Sequence, residues 1–196
     1  MAYITTGVNQ PGIVELLFYK GPTGKALSFL AQTVLRGPSG LMPAERELIA
    51  SYVSKLNDCD FCHDSHSAAA NTFLNDQGST VSCMVADLDS TPVSEKMKAL
   101  LKIADKVRIS GKAVTKEDIE LARRNGASDE DIHDAVLVAS AFCMYNRYVD
   151  GLGTRTPDDR ADYVDMGKRL AKKGYKYPPL FLRKFVVRMM NKKAKK

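Results

Sequence analysis

Two cysteines three positions apart, Cys59 and Cys62, precede two histidines, His63 and His66, and these are the residues whose types and spacing can do chemistry. On a helix that starts at or beside Cys59, residues Cys59, Cys62 and His66 share one face at i, i+3 and i+7, with His63 flanking it at i+4. The free amides and dipole of a helix N-terminus favour a thiolate. An imidazole one turn away can take the thiol proton or pair with the thiolate. A second cysteine at this spacing can close a disulfide onto the oxidised first. These are the parts of a peroxide or disulfide reaction cycle. Two other readings stand beside it: ordinary helix-start cysteines, and a zinc site built from Cys59, Cys62, His66 and His63. Four ligands crowded on one helix make poor tetrahedral geometry. The remaining histidine, His133, lies among acidic residues and reads as a surface side chain, so no metal or other cofactor is expected.

The elements that must position this group are helices. A helix from Pro43 to about Leu56 presents Leu48, Ile49, Tyr52 and Val53 as its apolar side, with proline tolerated in its first turn. Asn57-Asp58 breaks the pattern and offers a cap for an alanine-rich helix that runs from Cys59 to Leu74. Upstream, Pro11 to Lys20 leads into a helix holding Ala26, Leu27, Leu30, Ala31 and Val34. Downstream, Ser79 to Ser90 reads as a short helix or a loop, and Thr91-Pro92 as the start of a helix that ends at Gly111. Thr115 with Asp118, and Ser128 with Asp131, resemble capping boxes that open a short helix and a long apolar one, the latter reaching about Val149. Gly151 and Gly153 stop it, and Thr156-Pro157 caps another helix ending at Gly174. Beyond the Pro178-Pro179 joint, Leu180, Phe181, Phe185, Val186, Met189 and Met190 suggest a last, basic amphipathic helix. No span alternates as a strand does. The expectation is an all-α antiparallel bundle of about eight helices, divided into a redox domain over 1–177 and a basic helix and tail over 178–196. A medium helix followed by an alanine-rich one recurs faintly, at Pro43 to Leu74 and Lys116 to Val149.

Glu47, eleven residues, Cys59-Asp60-Phe61-Cys62, three residues, then His66: this pattern resembles the alkylhydroperoxidase D-like members of the carboxymuconolactone decarboxylase superfamily, and in particular their uncharacterised peroxidase-related branch. Leu41 to Ala70 carries most of the likeness. A softer match runs from Ser128 to Gly153, where Tyr145-Asn146-Arg147 resembles the end of the branch's long helix; these three side chains either line the pocket or close that helix with hydrogen bonds, the second being favoured. The resemblance implies an all-helical fold that oligomerises. It implies a proton relay from Glu47 through water and His66, with Cys62 as the peroxide-attacking thiolate. Cys59 would then be the resolving cysteine, the more exposed of the two, exchanging with an external dithiol or disulfide-reductase donor. By position, Glu47 corresponds to the family's relay glutamate; without the likeness it would be one acidic residue near a helix start. The likeness departs at Phe61. The family's hydroperoxidases place a histidine there, whereas here the histidine follows the second cysteine as His63. The decarboxylase members lack the cysteine pair, so the implied activity is a thiol-dependent peroxidase or disulfide oxidoreductase acting on a hydroperoxide. The rival from another class is a helical interaction or scaffold protein that keeps the fold without the chemistry.

Composition sets the outer bounds. Hydrophobic residues make up 44% and charged residues 27%, which provides a core and argues against disorder. Four cysteines in a chain of this size do not demand a disulfide framework, so a reducing, cytoplasmic location is expected. Cys83 belongs to no motif, and Cys143 reads as a small buried hydrophobe. No apolar run is long enough to span a membrane, and the N-terminus does not read as a signal peptide. The formal charge of +6 is unevenly spread: from Lys168 onward there are 12 Lys and Arg and no acid, against 17 basic and 23 acidic residues before it. A solvated tail or contact with an acidic patch of a second subunit explains this excess better than nucleic acid does. The apolar faces of Ile132 to Val149 and of the terminal segment lead to the expectation of a homo-oligomer, with a dimer as its smallest form and the tail packed against the partner's body.

Overall fold

The computed structural model describes residues 2–193, which form ten α-helices and two short 3₁₀ turns, with no strand among them. The helices are α1 (Ile13–Tyr19), α2 (Gly21–Arg36), α3 (Pro43–Leu56), α4 (Asp60–Leu74), α5 (Ser79–Ala86), α6 (Glu95–Ile109), α7 (Lys116–Arg124), α8 (Asp129–Gly151), α9 (Arg160–Lys173) and α10 (Arg183–Lys193). The count exceeds eight for two reasons. Extended Lys20 followed by Pro22 in the first turn of α2 splits the first helical stretch in two. The Ser79 region also settles as a helix, α5.

The expected capping boxes are present. Thr115 and Asp118 open α7, and Ser128 and Asp131 open α8. Two expected starts move downstream. Thr91 turns its hydroxyl onto the Asp87 carbonyl, and Ser94 caps α6 instead by accepting from the Met97 amide. Asp159, not Thr156, caps α9 by accepting from the Ala161 amide. In both cases a Ser or Asp carrying the cap side chain lies two or three residues beyond the Thr-Pro pair.

The helical hairpin α3–α4 is the element that matters most to the site. α3 packs along α4, α4 packs along α9, and α8 lies against both α3 and α6. The main core joins Leu48, Ile49 and Val53 of α3, Leu100, Leu101 and Ala104 of α6, and Val138 and Phe142 of α8. A second, smaller cluster gathers Cys59, Phe61 and Cys62 with Val149, Tyr163 and Met166. The close approach of α9 to α4 requires a glycine: a Cβ on Gly167 would sit 2.4 Å from the Ala68 carbonyl carbon. Gly174, at φ 65°, ends α9 and turns the chain so that Tyr175 points back inside.

The terminal segment folds onto its own chain. Arg183 donates to the Phe18 and Tyr19 carbonyls, and Asn191 exchanges hydrogen bonds with the backbone of Gly7 and Asn9. Tyr177 stacks on Phe18 with ring centroids 5.0 Å apart. Its outer residues Phe181, Phe185 and Met189 remain exposed. No described helix is long and apolar enough to cross a membrane.

Candidate functional site

The turn between α3 and α4 sets the thiols. Asn57 does not cap α4. It ends α3, its amide donating to the Val53 carbonyl, while its side chain donates to Asn146. Asp58 takes a left-handed conformation, φ 57°, which swings Cys59 into the N-cap position of α4. Asp60, Phe61 and Cys62 are then the first three residues of the helix, where backbone amides have no carbonyl a turn earlier to bond. Both sulfurs therefore lie at the positive end of α4.

Neither thiol is exposed. Cys59 is 0% and Cys62 2% accessible, so Cys59 is not the more open of the two. Its place at the N-cap tucks it into the small core with Val149 of α8 and Tyr163 and Met166 of α9. Cys62, one turn into the helix, lines a cavity of about 730 Å³. Hydrogen bonding to Cys62, burial and the neighbouring Cys62 and Asp150 groups all push the Cys59 thiol up. Cys59 thus keeps its proton.

His66 stands one turn beyond Cys62 and lines the same cavity. Its Nδ1 is 2.6 Å from Oε2 of Glu47. A carboxylate only accepts, so Nδ1 carries the hydrogen, and whenever the ring bears a single proton Nε2 is left as an acceptor. No water is needed between Glu47 and His66, because α3 and α4 bring them into direct contact. The imidazole is also held edge-on to Phe142, with centroids 4.5 Å apart.

Glu47 is wholly buried. Burial alone pushes its carboxyl up, but the charge and hydrogen bond of His66, the Arg36 guanidinium and the Tyr175 hydroxyl together hold it below its ordinary value. Arg36 bonds to Oε1, and Tyr175 donates to the same oxygen at 2.7 Å. Burial and the Glu47 charge push the Tyr175 phenol well above its ordinary range, so it remains a donor. Arg36 is sandwiched between the rings of Phe73 and Tyr175, 4.9 and 5.1 Å from their centroids. Neither Arg36 nor Tyr175 is among the residues singled out from the sequence. Arg36 opens a stretch, Arg36 to Gly40, that reads in sequence as a turn, whereas in the structure it is the last residue of α2, and Tyr175 lies 128 positions from Glu47 inside the basic tail.

The auxiliary residues separate. His63 turns away from the thiols toward α3, its Nδ1 3.1 Å from both the hydroxyl and the carbonyl of Ser51. Burial lowers its affinity for a proton. Ser67 lies in the same small network, its hydroxyl 2.8 Å from that of Ser51. Tyr145 lines the cavity and donates to the Leu27 carbonyl at 2.8 Å. Asn146 is buried and tied to Ser54 and Asn57. Arg147 is exposed and bonds the Cys143 carbonyl. Cys143 is only half-buried, with its sulfur near the Asn57 amide. Phe61 fills an apolar slot between Tyr163 and Gly12. With His63 turned to Ser51, the four zinc candidates do not converge, and no group of three His, Cys, Asp or Glu among the described residues is arranged to hold a metal ion.

The all-helical bundle thus buries a carboxylate–imidazole pair one turn behind a CxxC helix start. Residues 22–75, which include Glu47, Cys59, Cys62 and His66, match the carboxymuconolactone decarboxylase family. The fold is similar to that of an uncharacterized peroxidase-related protein from Silicibacter sp. TM1040, at 25% identity and a TM-score of 0.71, over 79% of this chain and 78% of that one. It is similar also to the alkylhydroperoxidase AhpD core of a peroxidase-related protein from Ralstonia eutropha JMP134, at 24% identity and a TM-score of 0.70, over 80% and 81% of the two chains. Among curated proteins, the uncharacterized protein YdfG of Bacillus subtilis is 25% identical over 117 residues, which is 60% of this chain and 79% of that protein. The match to the carboxymuconolactone decarboxylase family covers α2 to α4, the part of the chain that carries the site, and the likeness to the two solved structures extends over most of the bundle.

Proposed function

We propose that the protein is a thiol-dependent peroxidase that reduces hydroperoxides through the Cys59/Cys62 dithiol. The observation that carries this reading is the 2.6 Å contact between buried Glu47 and Nδ1 of His66, on a ring that shares a cavity with Cys62. His66 Nε2 takes the Cys62 proton, and Glu47 holds the resulting imidazolium in place. The Cys62 thiolate attacks the terminal oxygen of the hydroperoxide. A sulfur–oxygen bond forms, the O–O bond breaks, and the departing alkoxide takes its proton from His66 to leave as an alcohol. The Cys59 sulfur then attacks the Cys62 sulfenic acid, forming the disulfide and releasing water. An external dithiol closes the cycle by exchange, meeting first the sulfur that lines the cavity, Cys62.

In this reading Phe61 is a wall, and Glu47–His66 is the acid–base group. Residues 1–177 form the redox domain, and the helix that follows them contributes Val186 and Met190 to the cavity. The protein works as a homo-oligomer of at least two chains, in a compartment that supplies reducing dithiols, such as the cytoplasm. Peroxide consumption with a dithiol reductant tests the proposal. Cys62→Ser abolishes turnover, whereas Cys59→Ser stops the cycle at a sulfenic acid that dimedone traps. A protein that consumes no peroxide and yields no dimedone adduct is a scaffold, and the proposal falls.

A further inference from the structure

The cavity that Cys62 and His66 line is much larger than hydrogen peroxide requires. At about 730 Å³ it exceeds twenty times the ~30 Å³ share of a water molecule. Its walls are apolar and come from several helices: Leu17 of α1, Leu27 of α2, Phe142 of α8, Leu170 of α9, and Val186 and Met190 of α10. Such a space selects a ligand with a long hydrocarbon portion.

One edge of the cavity is of the opposite character. Arg169, Lys172, Lys173 and Lys176 line it, and all four are exposed. None forms an ion pair with a carboxylate among the described residues. The end of a helix accounts for some positive charge at Lys172 and Lys173. It does not account for Lys176, which lies beyond the helix, nor for the gathering of all four at the rim of an apolar cavity. No acid follows Lys168 in the sequence, so nothing on this segment offsets the charge.

Resting on the peroxidase reading, we infer that the substrate is a long-chain fatty-acid hydroperoxide, its carboxylate at the Arg169–Lys176 edge and its chain in the cavity. Oxidation of an unsaturated chain places the –OOH in mid-chain, away from the head group. That suits a thiol set in the apolar wall and not at the charged rim. Cys62 reduces this –OOH to the hydroxy acid by the balanced steps given above, with electrons from the dithiol.

Binding tests the inference without chemistry. In Cys62→Ser protein, oleate displaces a fluorescent fatty-acid probe at least tenfold more tightly than octanoate or methyl oleate does. Reversing the edge with Lys172→Glu and Lys173→Glu brings oleate to the level of the ester. Equal binding of acid and ester, no dependence on chain length, or no binding overturns the inference. Turnover distinguishes the source of the chain. Linoleic acid hydroperoxide gives a kcat/KM at least tenfold above that of hydroperoxidised phosphatidylcholine in vesicles, and parity would overturn recognition of the free carboxylate. Disulfide formation with tert-butyl hydroperoxide is followed separately. If it proceeds while oleate fails to bind, only the substrate class falls. If oleate binds but no hydroperoxide yields the disulfide, the inference falls with the reading beneath it.

Discussion

At the residue scale, the account depends on how Glu47 and His66 act on Cys62. With Cys59 replaced by Ser, iodoacetamide should alkylate Cys62 at pH 7 at least about tenfold more slowly after His66→Asn. Glu47→Gln should also slow it, while His63→Asn should have little effect because His63 faces Ser51. Equal rates in all three variants would remove the relay. Glu47 also makes a stability prediction. Removing one partner of a buried ion pair costs about 3–5 kcal/mol, because Arg36 is left uncompensated. The Glu47 carboxyl is held below its ordinary value of 4.5 in the fold. Its contribution is therefore present in full above about pH 4.5 and is lost as pH falls through the lower folded value. Urea unfolding of wild type and Glu47→Gln should differ by a constant amount between pH 5 and 7 and converge in more acidic solution. A gap that widens on acidification would contradict the assignment. Much of this centre was legible in the sequence, because α3 and α4 are consecutive and helical spacing places Cys59, Cys62 and His66 together. Glu47 needed the family likeness, since one glutamate in Glu45-Arg46-Glu47 looks like any other helix-start acid. Arg36 and Tyr175 were not legible, because only tertiary packing brings them to Glu47.

At the element scale, the closeness of α9 to α4 is what buries the thiols. Gly167→Ala should force the two helices apart and cost about 1–3 kcal/mol as overpacking, read from the urea midpoint. The same change should speed reaction of Cys62 with a bulky maleimide. A stable variant with unaltered thiol reactivity would show that α9 does not shield the site. Helix existence was legible from capping and periodicity, as at Thr115, Ser128 and Gly174. The starts of α6 and α9 were misplaced because a Thr-Pro pair and a nearby Ser or Asp compete for the cap, and the side chain that reaches the N2 or N3 amide wins. The exposure of Cys59 was misjudged for a related reason. Spacing along α4 says nothing of what α8 and α9 lay over its first turn.

At the scale of the whole molecule, the terminal segment closes the cavity with Val186 and Met190 while leaving Phe181 84% and Phe185 63% exposed. Sedimentation velocity at micromolar concentration should show a dimer or larger for the full chain. A chain ending at Tyr177 should remain folded by circular dichroism, and its smaller assembly would assign the interface to the exposed face of that segment. A full-length monomer would refute the oligomer, and an unchanged assembly of the shortened chain would clear the tail of any part in it. The central claim is that Cys59 and Cys62 act as one dithiol, and the most direct measurement is mass spectrometry with differential thiol labelling after one equivalent of hydroperoxide. Half-buried Cys83 and Cys143 serve as internal controls. The account predicts a disulfide within one chain between Cys59 and Cys62, with Cys83 and Cys143 still free, and no such bond in Cys62→Ser. Four free thiols after treatment, or a bond that engages Cys83 or Cys143 instead, would contradict it.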